Sequence, residues 1–304
     1  MRRYTVPPGG AAAFGGVADS LLEKGIPLAC AADGPSGIRM DNGAKATLLP
    51  SGTLLASSWD PILVERLYVM EGKELLRNGI DLLLGPGMNI QRHPLNGRNF
   101  EYFSEDPLIT GMMAAAVVRG IRSGGGVATL KHFACNNQEF ARATADSVVS
   151  ERALREIYLK GFEYAVKSAG ASAVMTAYNP VNGYQAASSY DLTTTILREE
   201  WGFRGIVMTD WWATMNDPID GGAASTRNTA AMIRAQNDLY MVVNNNGAEV
   251  NAAGDNTLAA LAKGELTLGE LQRCAINILD FMLQTQAFKR GEAPRANVIH
   301  LAAE

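Results

Sequence analysis

Short apolar runs, each ending on polar residues, constrain this chain more than any other feature. Residues 26–31, 53–56, 81–84, 127–130, 173–176, 205–209 and 238–243 are nearly all apolar and are bounded by Gly, Pro, Asn or Asp. A strand that is apolar on both sides of its pleat needs a sheet buried on both faces. Between the runs lie segments with apolar residues at helical spacing: 61–76, 150–167 with Ser150 placed to cap, and 191–201. Strand, loop and helix in alternation predict a parallel α/β protein. The first run leads into Asp33-Gly34-Pro35-Ser36-Gly37, not into the G-x-G-x-x-G of a doubly wound dinucleotide fold. Polar side chains collect after the runs instead: Asp33, Lys131 with His132, Tyr178 with Asn179, and Asp210. A barrel gathers all its strand ends around one mouth, so the pattern predicts a (β/α)8 TIM-like barrel. No eighth strand is evident after residue 243, where the chain reads mainly helical. The barrel is therefore expected to be irregular or short of one strand.

The chain's 304 residues suit one such domain, expected over 26–286, with a lead-in at 1–25 and a tail or linker from 287. A net charge of −4 offers no basic field for nucleic acid. Cys30, Cys135 and Cys274 are far apart and odd in number, which predicts reduced thiols and neither a disulfide framework nor a structural zinc. No apolar run is long enough to cross a membrane. The first residues lack the apolar core of a signal peptide, so a cytoplasmic location is expected for the chain as it stands.

Asp210 closes the run 205–209 and precedes Trp211 and Trp212. A carboxylate at the lip of a buried strand, beside flat indole faces, suits a nucleophile or base acting on a sugar. The same residue could equally cap a following helix. Lys131 and His132 read either as donors to a ligand or as structural residues. Asp33, Arg39, Arg98, Glu101 and Arg142 lie in polar stretches after strands, where surface placement is the simplest reading. His93 and His132 lack metal-ligand spacing, so no metal is expected. Gly85-Pro86-Gly87 lacks the Lys-Ser/Thr of a phosphate cradle and reads as a turn. No cofactor is expected.

In series, these stretches resemble glycoside hydrolase family 3. The residues that carry the resemblance are Asp33-Gly34-Pro35-Ser36-Gly37-Ile38-Arg39, Gly85-Pro86-Gly87-Met88-Asn89, Asn96-Gly97-Arg98-Asn99-Phe100-Glu101, Lys131-His132-Phe133, Ser150-Glu151-Arg152, Met175-Thr176-Ala177-Tyr178-Asn179 and Thr209-Asp210-Trp211. The resemblance implies a retaining, exo-acting β-glycosidase that removes terminal β-D-glucosyl residues, with Asp210 as nucleophile. It implies an inner sugar subsite of Asp33, Arg39, Arg98, Lys131, His132, Arg142, Met175 and Tyr178, with Trp211 beside the nucleophile. The implied partners are β-linked glucosides or oligosaccharides.

The sequence also departs from the family. Two-domain members usually take their acid/base from a glutamate on a second α/β domain, which this chain lacks. The single-domain hexosaminidase branch uses a histidine in K-H-F-P-G-H-G, but here the stretch reads Lys131-His132-Phe133-Ala134-Cys135-Asn136-Asn137. That activity is disfavoured. The expectation is a barrel from a longer protein of inverted domain order, with the second domain upstream, or in a partner chain. Met241-Val242-Val243-Asn244 stands where Met-Pro-Gly is more common. A β-xylosidase of the same family and a non-hydrolytic sugar-binding fragment remain the alternatives.

Overall fold

A computed structural model describes residues 12–15, 17–241, 251 and 253–289. In chain order it opens with β1 (Ala12–Gly15), α1 (Asp19–Glu23), β2 (Leu28–Asp33), α2 (Gly52–Ser57), α3 (Pro61–Arg77) and β3 (Leu82–Leu84). Next come α4 (Pro107–Gly124), β4 (Val127–Phe133), α5 (Glu151–Ala153), a π-helical turn Leu154–Tyr158, α6 (Lys160–Ala169) and β5 (Ala173–Thr176). The short strands β6 (Pro180–Val181) and β7 (Tyr184–Gln185) precede a π-helical segment Asp191–Glu200 and β8 (Ile206–Met208). A hairpin of β9 (Met215–Asp217) and β10 (Gly221–Ser225) leads to α7 (Thr229–Arg234), α8 (Thr257–Lys263), α9 (Leu268–Met282) and α10 (Gln286–Lys289).

The principal sheet runs β1-β2-β3-β4-β5-β8. All its pairings are parallel except that of β1 with β2. Leu239 continues it through a parallel bridge to Met208. The result is an irregular TIM-like barrel, short of strands among the described residues. Alternate side chains separate into two cores, as a sheet buried on both faces requires. Ala29, Ala31, Leu82, Leu84, Ala173, Met175, Ile206 and Met208 point inward. Cys30, Ala32, Leu83, Leu130, Val174 and Val207 point outward into the helical layer. Helix α9 touches both β1 and β8. Its Phe281 and Met282 join Phe14 in the inner core and fill the side that closing strands would occupy.

The helices start where local chemistry dictates. Asp60 accepts from the amides of Ile62 and Leu63 ahead of Pro61, and Asp106 repeats this with Leu108 and Ile109 ahead of Pro107. Ser150 caps α5 by accepting from Ala153 N–H, as its position predicts.

The structure corrects one strand. Residues 53–56 lie in α2, not in a sheet. Gly52, Leu55 and Ala56 are buried while Leu54 is 62% exposed, so the run has one buried face at helical spacing. Four apolar residues are too few for periodicity to separate the two readings. β1 falls inside the stretch expected as a lead-in, and of 238–243 only Leu239 bridges a neighbour among the described residues. Val242, Val243 and Asn244 lie outside the described residues. The three cysteines are free and buried. No described helix is long and apolar enough to cross a membrane.

Candidate active site

The barrel's C-terminal strand ends bring together residues far apart in sequence. Lys131 is the inward residue of β4 and donates from Nζ to Asp33 Oδ1, at the end of β2, at 2.7 Å. The register between β4 and β5 slips between Lys131 and Phe133. Consecutive residues of a regular strand face opposite ways, so this irregularity is what lets both Lys131 and His132 serve the mouth. Asn89 holds His132 by its backbone: Oδ1 accepts from its N–H at 2.9 Å, and Nδ2 donates to its carbonyl at 2.8 Å.

Asp210 sits just beyond β8 and is buried. Its Oδ1 accepts from the Trp211 amide at 2.7 Å, and its Oδ2 lies 3.6 Å from His132 Nε2. It caps no helix. Tyr178 donates to the Trp211 carbonyl at 2.6 Å and stands within reach of the Asp210 carboxylate. Trp211 packs against the inner core, to which the buried Met175 belongs.

The loop between β3 and α4 contributes Arg98. Its Nε and Nη2 donate to the two oxygens of Glu101 at 2.7 and 2.8 Å, and its Nη1 lies 3.0 Å from His132 Nε2. Arginine has no acceptor, so His132 Nε2 accepts and its proton sits on Nδ1, 3.4 Å from Tyr102 Oη. Arg142 lies 4.7 Å over the ring of Tyr178 and donates to Glu139 at 2.9 Å. Arg39 is not brought into this network. Its side chain is 71% exposed and pairs with Asp41.

Burial raises the Asp210 pKa, while the Trp211 amide, Lys131, Tyr178 and Arg98 pull it back in part. Burial would raise Asp33 too, but the Lys131 ammonium holds its carboxyl below the usual range. Burial, then Arg98, Lys131 and Arg142, push His132 well down, so the ring is neutral. Donors and acceptors thus surround a carboxylate that has no cation in salt-bridge contact among the described residues, which suits the hydroxyls of a sugar ring. Among the described residues no three His, Cys, Asp or Glu side chains gather as metal ligands.

Several residues that hold this site do not stand out in the sequence: Glu101 reads there as a surface residue, and Glu139, Tyr102, Asn136 and Asn89 have no assigned role. A signal existed: Arg98 with Glu101, and Glu139 with Arg142, are opposite charges three apart. Both pairs lie in loops, where such spacing carries no helical meaning.

A buried carboxylate and a ring of hydrogen-bonding side chains at the strand ends place the chain in the class of α/β barrels with a polar site at the mouth. Residues 16–280 match the glycosyl hydrolase family 3 N terminal domain, and the chain belongs to that family. It is similar to a β-glucosidase of Ruminococcus albus, 57% identical over 98% of this chain and 31% of the relative. The crystal structure of a β-glucosidase from Paenibacillus barengoltzii is 70% identical with a TM-score of 0.93, over 95% of this chain and 31% of that one. β-Glucosidase 3B of Thermotoga neapolitana, in complex with α-D-glucose, is 39% identical with a TM-score of 0.83, over 95% of this chain and 39% of that one. The chain thus spans about a third of the length of these relatives.

Proposed function

We propose that this chain supplies the nucleophile and inner sugar subsite of a retaining, exo-acting β-glucosidase. The observation that carries the reading is the placement of Asp210. Its carboxylate is buried at the barrel mouth, 3.6 Å from His132 Nε2, and is surrounded by groups that offset part of the rise burial gives its pKa. Attack on an anomeric carbon needs the ionised form, which these groups favour against burial. Lys131 and Asp33 offer a donor and an acceptor side by side, which fits neighbouring hydroxyls of a pyranose. The β-glucosidase names of the relatives favour glucose as the sugar.

In the double displacement, Asp210 attacks the anomeric carbon and expels the aglycone alkoxide, giving a glycosyl-enzyme. A second carboxyl about 5–5.5 Å away protonates the leaving oxygen and then activates water. Glu101 and Glu139 are ion-paired to arginines, and Asp33 to Lys131, so none is a free acid. We assign the acid to a second α/β domain, in a longer chain or a partner.

The test is intact mass spectrometry after incubation with a dinitrophenyl 2-deoxy-2-fluoro-β-glucoside, whose leaving group needs no acid. The expected result is one fluoroglucosyl adduct, mapped to the Asp210 peptide and absent in Asp210→Asn. Folded protein without an adduct, or with an adduct on another residue, overturns the reading. The matching fluoroxyloside reacting faster would move the specificity to pentosides.

A further inference from the structure

We infer that Glu101 is a positioning residue of this site: it orients Arg98 and Lys131, and through Arg98 it fixes His132, without itself touching the sugar. The inference rests on the glucosidase reading for its catalytic consequence but not for its geometry.

Glu101 is built in, not merely adjacent. Its side chain is 5% exposed. Its N–H donates to the Arg98 carbonyl at 3.0 Å, which folds 98–101 back on itself. The backbone on either side is clamped to α2 and to Gln91. Thr53 Oγ1 lies 2.7 Å from the Asn99 carbonyl and 3.0 Å from that of Tyr102, and Gln91 Nε2 donates to the same two carbonyls. A Cβ on Gly52 would run into the Glu101 carbonyl, and one on Gly87 would stand 2.7 Å from Glu101 Oε1. The backbone on one side and the carboxylate on the other are therefore both held at close contact.

That carboxylate lies between two cations. It takes the Arg98 fork in a bidentate pair, the geometry that best fixes a guanidinium plane. Its Oε1 is also 3.8 Å from Lys131 Nζ, whose other partner is Asp33. With the fork fixed, Arg98 Nη1 aims at His132 Nε2 and imposes the Nδ1–H tautomer. Without it, the guanidinium is free to turn toward Glu139, already 4.0 Å away, or toward Asp210.

Removing the charge of Glu101 has a second effect. Asp210 faces Lys131 and His132 from β4, Arg98 from the preceding loop, and Tyr178 from beyond β5. Glu101 offsets two of these cations. Its loss leaves their fields on Asp210 stronger and favours the ionised nucleophile at lower pH.

Two variants separate reach from charge. Glu101→Gln keeps the shape and removes the charge; Glu101→Asp keeps the charge and shortens the reach. The first readout is the pH dependence of inactivation by the fluoroglucoside. The second is the 15N NMR tautomer of His132, which needs no substrate. For Glu101→Gln we expect the inactivator to bind about tenfold more weakly, since a charged hydrogen-bonded pair is lost. We also expect the acid limb to move down by about 0.5–1 pH unit. Glu101→Asp should weaken binding and leave the acid limb in place. In the wild type His132 should be a single Nδ1–H tautomer, and in either variant a mixture. Wild-type inactivation kinetics and an unchanged His132 tautomer in both variants would overturn the inference. If Glu101→Gln does not fold, wild-type binding and tautomer in Glu101→Asp overturn it alone. A wild type that is never labelled at Asp210 defeats the glucosidase reading, while the His132 spectra still decide the role of Glu101.

Discussion

Glu71 shows what single residues of this barrel cost. It lies on the inner side of α3 with neither carboxylate oxygen in a well-formed hydrogen bond among the described residues. Burial, then the neighbouring Glu74, push its pKa up to about 8, and the Gly37 amide offsets only part of this. Unfolded, the group ionises near 4.5; folded, it keeps its proton until about 8. Between those values the unfolded chain binds fewer protons, so stability falls as pH rises. Glu71→Gln removes the titration and keeps the shape. Melting temperatures of the two proteins should coincide near pH 4 and separate by about 5 °C at pH 8, with the variant higher. Parallel curves over that range would show that Glu71 is not held neutral. Glu71 gave no sign in the sequence, because a glutamate in a helix reads as solvated. Asp210, Lys131, His132 and Asp33 did stand out, because each follows an apolar run and a barrel sends all such positions to one place. Arg39 follows one too, yet the turn at Gly34–Gly37 carries its side chain outward to Asp41. Position after a strand predicts the neighbourhood of a residue, not its direction.

At the scale of elements, packing distance decides what the helical layer tolerates. α3 and α4 make the most extensive helix pair, and they meet glycine to glycine. A Cβ on Gly124 would stand 2.7 Å from the Gly72 Cα and as close to the Val69 carbonyl, all backbone that cannot yield cheaply. Gly269, in the exposed first turn of α9, has nothing nearer than 4.0 Å. The same substitution should act oppositely at the two sites. Gly124→Ala should lose about 1–3 kcal/mol through overpacking, whereas Gly269→Ala should gain about 0.5 kcal/mol from helix propensity. Urea unfolding checks both, and equal midpoints would remove the argument from close packing. The elements themselves were largely legible. The parallel strands and α3 appear where the apolar runs and helical spacing put them, because burial on two faces leaves a distinctive sequence. The failure at 53–56 has the same origin. A short run beside a glycine looks the same whether its neighbour is a sheet or, as here, the backbone of the Glu101 loop. β1 was invisible for the opposite reason: Ala and Gly carry little apolar signal, and its place is set by pairing with β2 and by Phe14 reaching the inner core.

For the molecule as a whole, the unusual surface lies beside the site. The loops after β3 and β4 enclose a cleft of about 740 Å³. Leu95, Phe140 and Val148 line it, yet they are 85%, 87% and 83% exposed. Single exposed apolar residues are ordinary, but three around one cleft form a patch of the kind that marks contact surfaces. Glu139 belongs both to the cleft and to the Arg98–Arg142 network, so a body seated there would press on the wall of the Asp210 site. Burying about 400 Å² of apolar surface gains about 10 kcal/mol, while association costs on the order of 4–15 kcal/mol. The balance favours weak self-association over a tight dimer. Sedimentation velocity of this chain should show a weight-average mass that rises with concentration above about 100 µM, where complexes bound by only a few kcal/mol become populated. Leu95→Glu with Phe140→Glu should abolish the rise and leave the Asp210 adduct intact, since neither side chain reaches the nucleophile. A monomer at every concentration, or association unchanged in the double variant, would show that the patch is not a contact surface. The double variant separates the two parts of the barrel mouth: the charged network around Asp210, and the apolar rim beside it.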